Sequence, residues 1–253
     1  ALGTVVAQYS GVIMAWWLWF YNYKELRGRI TFKGSLQLIA MRRFFTVNRD
    51  IFLRTLCLIG VTTFFTSTGA RQGDVILAVN TLLMQLFTLF SYIMDGFAYA
   101  GEALSGRYVG ACNLVQLKRA VKALFGWGVG LSLVFTLLYG IGGENFLGLL
   151  TNDTLVIVTA GHYFYWVLAI PLAGFAAFLW DGILIGATAT RFMLWAMLVA
   201  SGSFFVIYYC FSGATNNHTL WLAFLVYLAL RGIMQTIWSR RVFTLKYLQS
   251  LRS

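Results

Sequence analysis

Runs of about 20 apolar residues, long enough to cross a hydrocarbon core of about 30 Å as helix, recur along the chain. They fall at approximately 1–22, 50–70, 75–99, 118–141, 155–187, 192–212 and 217–239, with short polar or basic stretches between them. The pattern predicts an all-α integral membrane protein, a polytopic helical bundle of about seven transmembrane helices. Composition strengthens this: 60% of the 253 residues are hydrophobic and 11% charged, against roughly 45–50% and 25% in an average soluble domain. A soluble globule of this size could not hide so much apolar side chain. One proline and three cysteines exclude collagen-like and disulfide-scaffold classes. Cys57, Cys112 and Cys210 lie in or beside apolar stretches without metal-ligand spacing, and read as small packing residues.

A net charge of +11 raises the question of nucleic acid, and the placement of the charges answers it. The first connection holds Lys24, Arg27, Arg29, Lys33, Arg42, Arg43 and Arg49, with Arg54 just inside the next helix. The third holds Arg107, Lys118, Arg119 and Lys122; the fifth holds Arg191; the tail holds Arg240, Arg241, Lys246 and Arg252. Of the 19 basic residues, 17 fall on one side, Arg71 alone falls on the other, and Arg231 lies within a span. That is the positive-inside pattern, which predicts a cytoplasmic C-terminus and an inward-running first helix. The charge reports orientation in a cell inner membrane, not nucleic-acid binding.

The apolar run at the start has no basic leader and no cleavage site, so it is not a signal peptide. It begins partway along a helix, and the chain is expected to lack an N-terminal portion. In the polar stretch 24–49, Leu36, Ile39, Ala40 and Phe44 share helical spacing beside Arg42 and Arg43. This suits either an amphipathic helix on the cytoplasmic leaflet or an ordinary solvated linker helix.

A local repeat stands out. Asp95-Gly-Phe-Ala-Tyr-Ala-Gly-Glu-Ala103 lines up with Asp181-Gly-Ile-Leu-Ile-Gly-Ala-Thr-Ala189. At 100° per residue, Gly96, Ala100 and Ala103 form one small-residue stripe and Gly182, Gly186 and Ala189 another. Such stripes let helices approach closely in lipid. Asp95 precedes Arg107 by 12 residues, and Asp181 precedes Arg191 by 10. At 1.5 Å per residue both acids lie roughly 15–18 Å inside, near the midplane.

Charge in the membrane is costly and marks function or a paired network. The candidates are Asp95, Asp181, Glu102 and Arg231, the last roughly 13 Å deep by its distance from Arg240. Arg231 is expected to hold Asp95 or Asp181, because a buried arginine without an anion is expensive. The carboxylate left over is then a candidate proton carrier. Glu102, nearer the cytoplasm, lies within reach of Arg107 or Arg54. Pro171, inside the long 155–187 span, removes a backbone hydrogen bond and predicts a kink, a candidate hinge.

Catalytic constellations are few. His162 and His218 are the only histidines, which excludes His-rich metal sites and multi-His acid–base chemistry. No nucleophile elbow, phosphate loop or dinucleotide fingerprint appears in a strand–turn–helix context. Gly126, Gly128 and Gly130 read as helix packing.

Asn48-Arg-Asp-Ile opening a helix, Leu77-Ala-Val-Asn80, Asp95-Gly-Phe-Ala-Tyr-Ala, Gly106-Arg-Tyr-Val-Gly-Ala111 and Asp181-Gly-Ile-Leu-Ile-Gly-Ala together resemble the multidrug and toxic compound extrusion (MATE) family, in particular its DinF branch. The resemblance covers essentially the whole chain. It implies the sixth to twelfth helices of a twelve-helix transporter: the last helix of the N-terminal lobe (1–23), an inter-lobe linker (24–48), a six-helix C-terminal lobe (49–241) and a basic cytoplasmic tail (242–253). Gly106, Gly110, Gly182 and Gly186 resemble family motifs closing the eighth and tenth helices and, with Gly96, are expected to be packing glycines.

The resemblance also implies cation-coupled export of amphipathic, often cationic, compounds by alternating access of two lobes. The partners expected are membrane lipid, small amphipathic substrates and the N-terminal lobe of the same polypeptide. No cofactor or metal is implied beyond a coupling ion. The NorM branch carries coupling acids in its seventh and tenth helices. Here the seventh has none beyond Asp50, and Ala173 and Gly174 stand where the other would fall. That favours a proton over sodium, with a central coupling aspartate in a first helix that this chain does not contain. The reading is therefore a proton-driven exporter and not an enzyme. The alternatives are a lipid-linked oligosaccharide flippase of the same superfamily, which needs a basic cavity, and less favourably a membrane-embedded enzyme.

Overall fold

A computed structural model describes residues 2–22, 38–211 and 217–244. All regular structure among them is helical: α1 (Leu2–Asn22), α2 (Leu38–Arg71), α3 (Asp74–Gly110), α4 (Leu114–Leu150), α5 (Thr154–Gly161), α6 (Phe164–Gly186), α7 (Thr190–Cys210) and α8 (Asn217–Val242). The chain divides into two compact units, residues 1–46 and 47–253. The first contains α1. The expected amphipathic segment lies partly outside the described residues, and its part from Leu38 onward is simply the start of α2. With no glycine or proline between Leu38 and Ile59, nothing separates it from the span that follows.

Among the described residues six helices are long and apolar enough to cross a membrane: Phe44–Arg71, Asp74–Gly110, Leu114–Gly143, Phe164–Gly186, Thr190–Cys210 and Asn217–Arg241. The chain is thus a polytopic helical membrane protein. The seventh expected span, at 1–22, does form a helix of 21 residues but is not among the six. Gln8, Tyr9, Ser10 and the tryptophans Trp16, Trp17 and Trp19 dilute its apolar character; such aromatics suit the membrane–water interface.

Turn chemistry sets the helix ends. Gly73, at φ 108°, opens α3. Asn113 caps α4 by accepting from the Gln116 amide at 3.1 Å, and Asp153 caps α5 by accepting from Leu155 and Val156, each satisfying orphan N–H groups of a first turn. Within α4 the helix breaks at Gly143 (φ 42°, ψ −127°), a backbone state that an L side chain rarely adopts. The apolar run 155–187, expected as one span, is two helices. The break falls at His162–Tyr163, where the backbone bonds tighten to three-residue spacing, not at Pro171, through which α6 continues. The break lets Tyr163, Tyr165 and Trp166 gather around His218 of α8, whose Nδ1 accepts from Tyr165 Oη at 2.7 Å and Trp166 Nε1 at 3.2 Å.

In the second unit α6 is the central helix, packed against α3, α4 and α8, with more than half of its span buried. Its tightest neighbour is α3. A Cβ on Gly182 would collide with the Ala98 carbonyl, and one on Gly186 with the Glu102 carbonyl and Ser105 Oγ. A Cβ on Gly106 would lie 3.5 Å from the Gly186 carbonyl oxygen, an ordinary van der Waals contact. The two repeated segments thus pack on one another, but by different faces. On α6 the Gly182–Gly186 stripe faces in. On α3 the buried row is Phe90, Met94, Ala98, Gly101, Ser105 and Val109, so Ala100, Ala103 and Gly96 point away from it and are exposed. Gly96 and Gly110, expected as packing glycines, have no atom within 4 Å of a Cβ built on them. The large residues Phe90 and Met94 set the helix phase, and the stripe at 96 lies on the opposite side. Gly128 of α4 packs on Leu179, whereas Gly126 and Gly130 meet nothing.

From residue 47 onward, α2 meets the other helices through long side chains rather than close backbone approach. Phe64 packs on Phe204, Phe205 and Tyr208 of α7, and Phe65 on Trp221 and Phe224 of α8. At its other end Asp50, only 2% exposed, accepts from Thr190 Oγ1 at 3.3 Å while pairing with Arg49.

Candidate functional site

A cavity of about 410 Å³ lies among α2, α3, α6 and α8. Asp95, Glu102, Asp181 and Arg231, singled out from sequence as charges within the membrane spans, all line it, together with Arg54. The remaining wall is largely apolar and aromatic, including Phe87, Phe178, Phe224, Tyr99 and Tyr227.

The charged side chains are arranged unequally. Asp181, on α6, is the carboxylate that Arg231 meets: its Oδ2 accepts from Arg231 Nη2 and also from Arg54 Nη2, while Oδ1 accepts from Gln235 Nε2 at 2.7 Å. Arg231 is 3% exposed, and its guanidinium lies 5.6 Å from the centre of the Phe178 ring, within cation–π range. Arg54 is 17% exposed at the cavity wall. Both guanidinium Nε atoms, and Gln235 Oε1, are buried without a hydrogen-bond partner among the described residues. Two cations against one carboxylate leave this cluster with a formal surplus of one positive charge.

Asp95 and Glu102, both on α3, have no ion pair or hydrogen bond through their side chains among the described residues. Arg54 and Arg107, which the sequence placed within reach of Glu102, make no ion pair with it among the described residues. Arg54 turns instead to Asp181, where it gains a buried partner already shared with Arg231 and amide support from Gln235. Asp95 lies within electrostatic range of Asp181, Arg231 and Arg54 without touching them. With all five groups ionised, three carboxylates against two guanidiniums give the cavity one net negative charge.

Pro171 is buried in α6 and does not line this cavity. Of the glycines, Gly182 reaches the wall, so the closest helix contact and the charged cluster share one stretch of α6. Sequence reasoning did not name Arg54 as a site residue, counting it as an orientation signal and a neighbour within reach of Glu102. It missed Gln235 altogether, although Gln235 stands four residues after Arg231 and so shares its helix face. Among the described residues no cluster of three or more metal-ligating side chains forms, and Cys57, Cys112 and Cys210 form no disulfide.

Residues 51–210 match the family model MatE. The chain belongs to the MatE family. Its members are transporters, not enzymes. Over 247 residues this MatE chain is 37% identical to DNA damage-inducible protein F of Escherichia coli K12, covering 95% of the chain and 52% of that protein. It is 23% identical to the chloroplastic Protein DETOXIFICATION 45 of Arabidopsis thaliana, over 74% of the chain and 34% of the relative. To Protein DETOXIFICATION 42 of the same plant it is 22% identical, over 92% of the chain and 44% of the relative. The chain spans about half the length or less of these curated relatives. The first match agrees with the DinF-like branch read from the motifs.

Proposed function

We propose that this chain forms one lobe of an efflux transporter that exports amphipathic cations in exchange for protons, with Asp95 as its proton-carrying acid. The observation that carries the reading is the unequal pairing in the cavity. Asp181 already has two arginines and an amide, whereas Asp95 and Glu102 face the same space with no cation of their own. Protonating Asp95 takes the cavity from one net negative charge to none. A cationic substrate is held in the first state and expelled from the second, the reciprocal linkage that antiport requires. A cation about 5 Å from the Asp95 carboxylate, at an effective dielectric of about 20, gains about 3 kcal/mol. That is roughly a hundredfold in affinity, enough to couple the two ligands.

The aromatic wall suits the apolar body of such a substrate. Asp181 is read as the fixed anchor. Arg54 is its removable partner, being more exposed and carried on a helix that joins the others mainly through side chains. The oligosaccharide-flippase alternative asks for a basic cavity, and here carboxylates outnumber arginines. The basic-residue split supports a cytoplasmic C-terminus, in a protein of the cell inner membrane.

The test uses the gene's complete product in proteoliposomes under an imposed pH gradient, with ethidium as the cation. Asp95→Asn is expected to abolish ethidium-dependent proton release while leaving the melting temperature within a few degrees of wild type. Exchange at the wild-type rate by Asp95→Asn would move coupling away from this cavity.

A further inference from the structure

Two further cavities open along the other half of α3, away from the acids. The larger, about 410 Å³, is walled by Phe65 and Thr66 of α2 and by Asn80, Thr81, Gln85 and Thr88 of α3, with no acidic or basic residue in its lining. The smaller, about 260 Å³, is apolar on its far side, where Leu89 of α3 faces Phe146 and Leu149 of α4. Gln85, Thr88 and Tyr92 line both. They form a ridge, with a polar cavity on one flank and an apolar one on the other.

The fold builds this place deliberately from three features. The break at Gly143 turns the end of α4 so that Phe146 and Leu149 reach α3, and Tyr139 pins the same stretch by donating to the Leu86 carbonyl at 2.8 Å. Asn80 is held by three hydrogen bonds, its amide donating to Asn217 and its oxygen accepting from Asn217 and Trp221, so it serves as a fixed wall. The hydroxyls of Thr66, Thr81 and Thr88 donate to carbonyls in their own helices, leaving only their oxygen lone pairs for a ligand. The Gln85 amide and the Tyr92 hydroxyl, both exposed, make no hydrogen bond among the described residues. Unused hydrogen-bonding groups on a membrane-spanning helix are costly against hydrocarbon. They are accommodated where a cavity supplies water or a ligand.

We propose that the ridge is a second binding site, specific for an uncharged amphiphile. Hydroxyl or amide N–H groups of the ligand would donate to the threonine oxygens, Gln85 and Tyr92, while its apolar part packs on Leu89, Phe146 and Leu149. The ten residues between Gln85 and Asp95 put it about 15 Å along α3 from the proposed proton site. The absence of fixed charge distinguishes its ligand from the one the acidic cavity takes.

The probe is N-octyl dansylamide, an uncharged amphiphile with one sulfonamide N–H, titrated by fluorescence into the complete gene product in nanodiscs. The double variant Gln85→Leu/Thr88→Val, which removes polarity while keeping volume, is expected to lower its affinity at least tenfold. Tyr92→Phe, which deletes one exposed hydroxyl and leaves the fold untouched, should lower it severalfold. Asp95→Asn should leave it unchanged, whatever that variant does to proton exchange. Wild-type affinity in both ridge variants, or loss of the probe in Asp95→Asn, overturns the proposal. Movement of bound probe across a liposome membrane identifies the occupant as cargo, and binding without movement identifies a resident lipid; either supports the site.

Discussion

The Asp181 cluster makes an ordered prediction about stability. Removing Asp181 leaves the guanidiniums of Arg54 and Arg231 side by side, with Arg231 almost wholly buried and no anion in contact with either. Breaking a buried pair by deleting one partner costs about 3–5 kcal/mol, and the like-charge contact puts Asp181→Ala at the upper end. Arg231→Ala is milder, because Asp181 keeps Arg54 and Gln235. Arg54→Ala is milder still, since Arg54 is the more exposed partner and its loss removes a surplus charge. For a chain of this size about 1 kcal/mol moves the melting temperature about 2–4 °C, so Asp181→Ala should lower it by roughly 10 °C or more. The assay is thermal unfolding in detergent of the three single variants and of Asp181→Ala/Arg54→Ala. The double variant should recover part of the Asp181→Ala loss, because it removes one of the two stranded cations. Additive losses in that cycle, or an Arg231→Ala loss equal to that of Asp181→Ala, would refute the shared-carboxylate reasoning.

Other outcomes follow from particular contacts. Gly182→Ala and Gly186→Ala, whose new Cβ atoms meet α3 backbone, should each cost about 1–3 kcal/mol by overpacking, whereas Gly96→Ala and Gly110→Ala, which meet nothing, should stay within about 0.5 kcal/mol of wild type; thermal melts compare the four. Asn80→Leu strands the Asn217 amide and the Trp221 indole N–H and should cost about 1–3 kcal/mol, with Asn217→Leu adding less than its separate effect. In a background lacking Cys57, Cys112 and Cys210, a cysteine at Asn152 should react with an impermeant thiol reagent in intact cells and one at Asn113 should not, as the basic-residue split requires; reaction at Asn113 would reverse the orientation.

How much of this was legible beforehand depended on the range of the interaction concerned. Apolar runs of spanning length, the charge asymmetry and the isolated intramembrane Asp95, Asp181, Glu102 and Arg231 are properties of the one-dimensional pattern, since lipid sorts side chains by polarity whatever their partners. So the membrane class, most spans and four of the five charged cavity residues stood in the sequence. Pairing did not. Asp181 rather than Asp95 receives Arg231, and Arg54 joins it from 127 residues away, because helix rotation and crossing decide which carboxylate faces which guanidinium. The glycines show the same division. Spacing nominated Gly96 and Gly182 equally, but the buried row through Phe90 and Met94 fixed the phase of α3 and turned Gly96 outward. Hydropathy also ran α5 and α6 together, because a tightened turn at His162–Tyr163 changes backbone direction without interrupting the apolar composition. Local chemistry determined what each segment is; the packing of large side chains across helices decided what each segment touches.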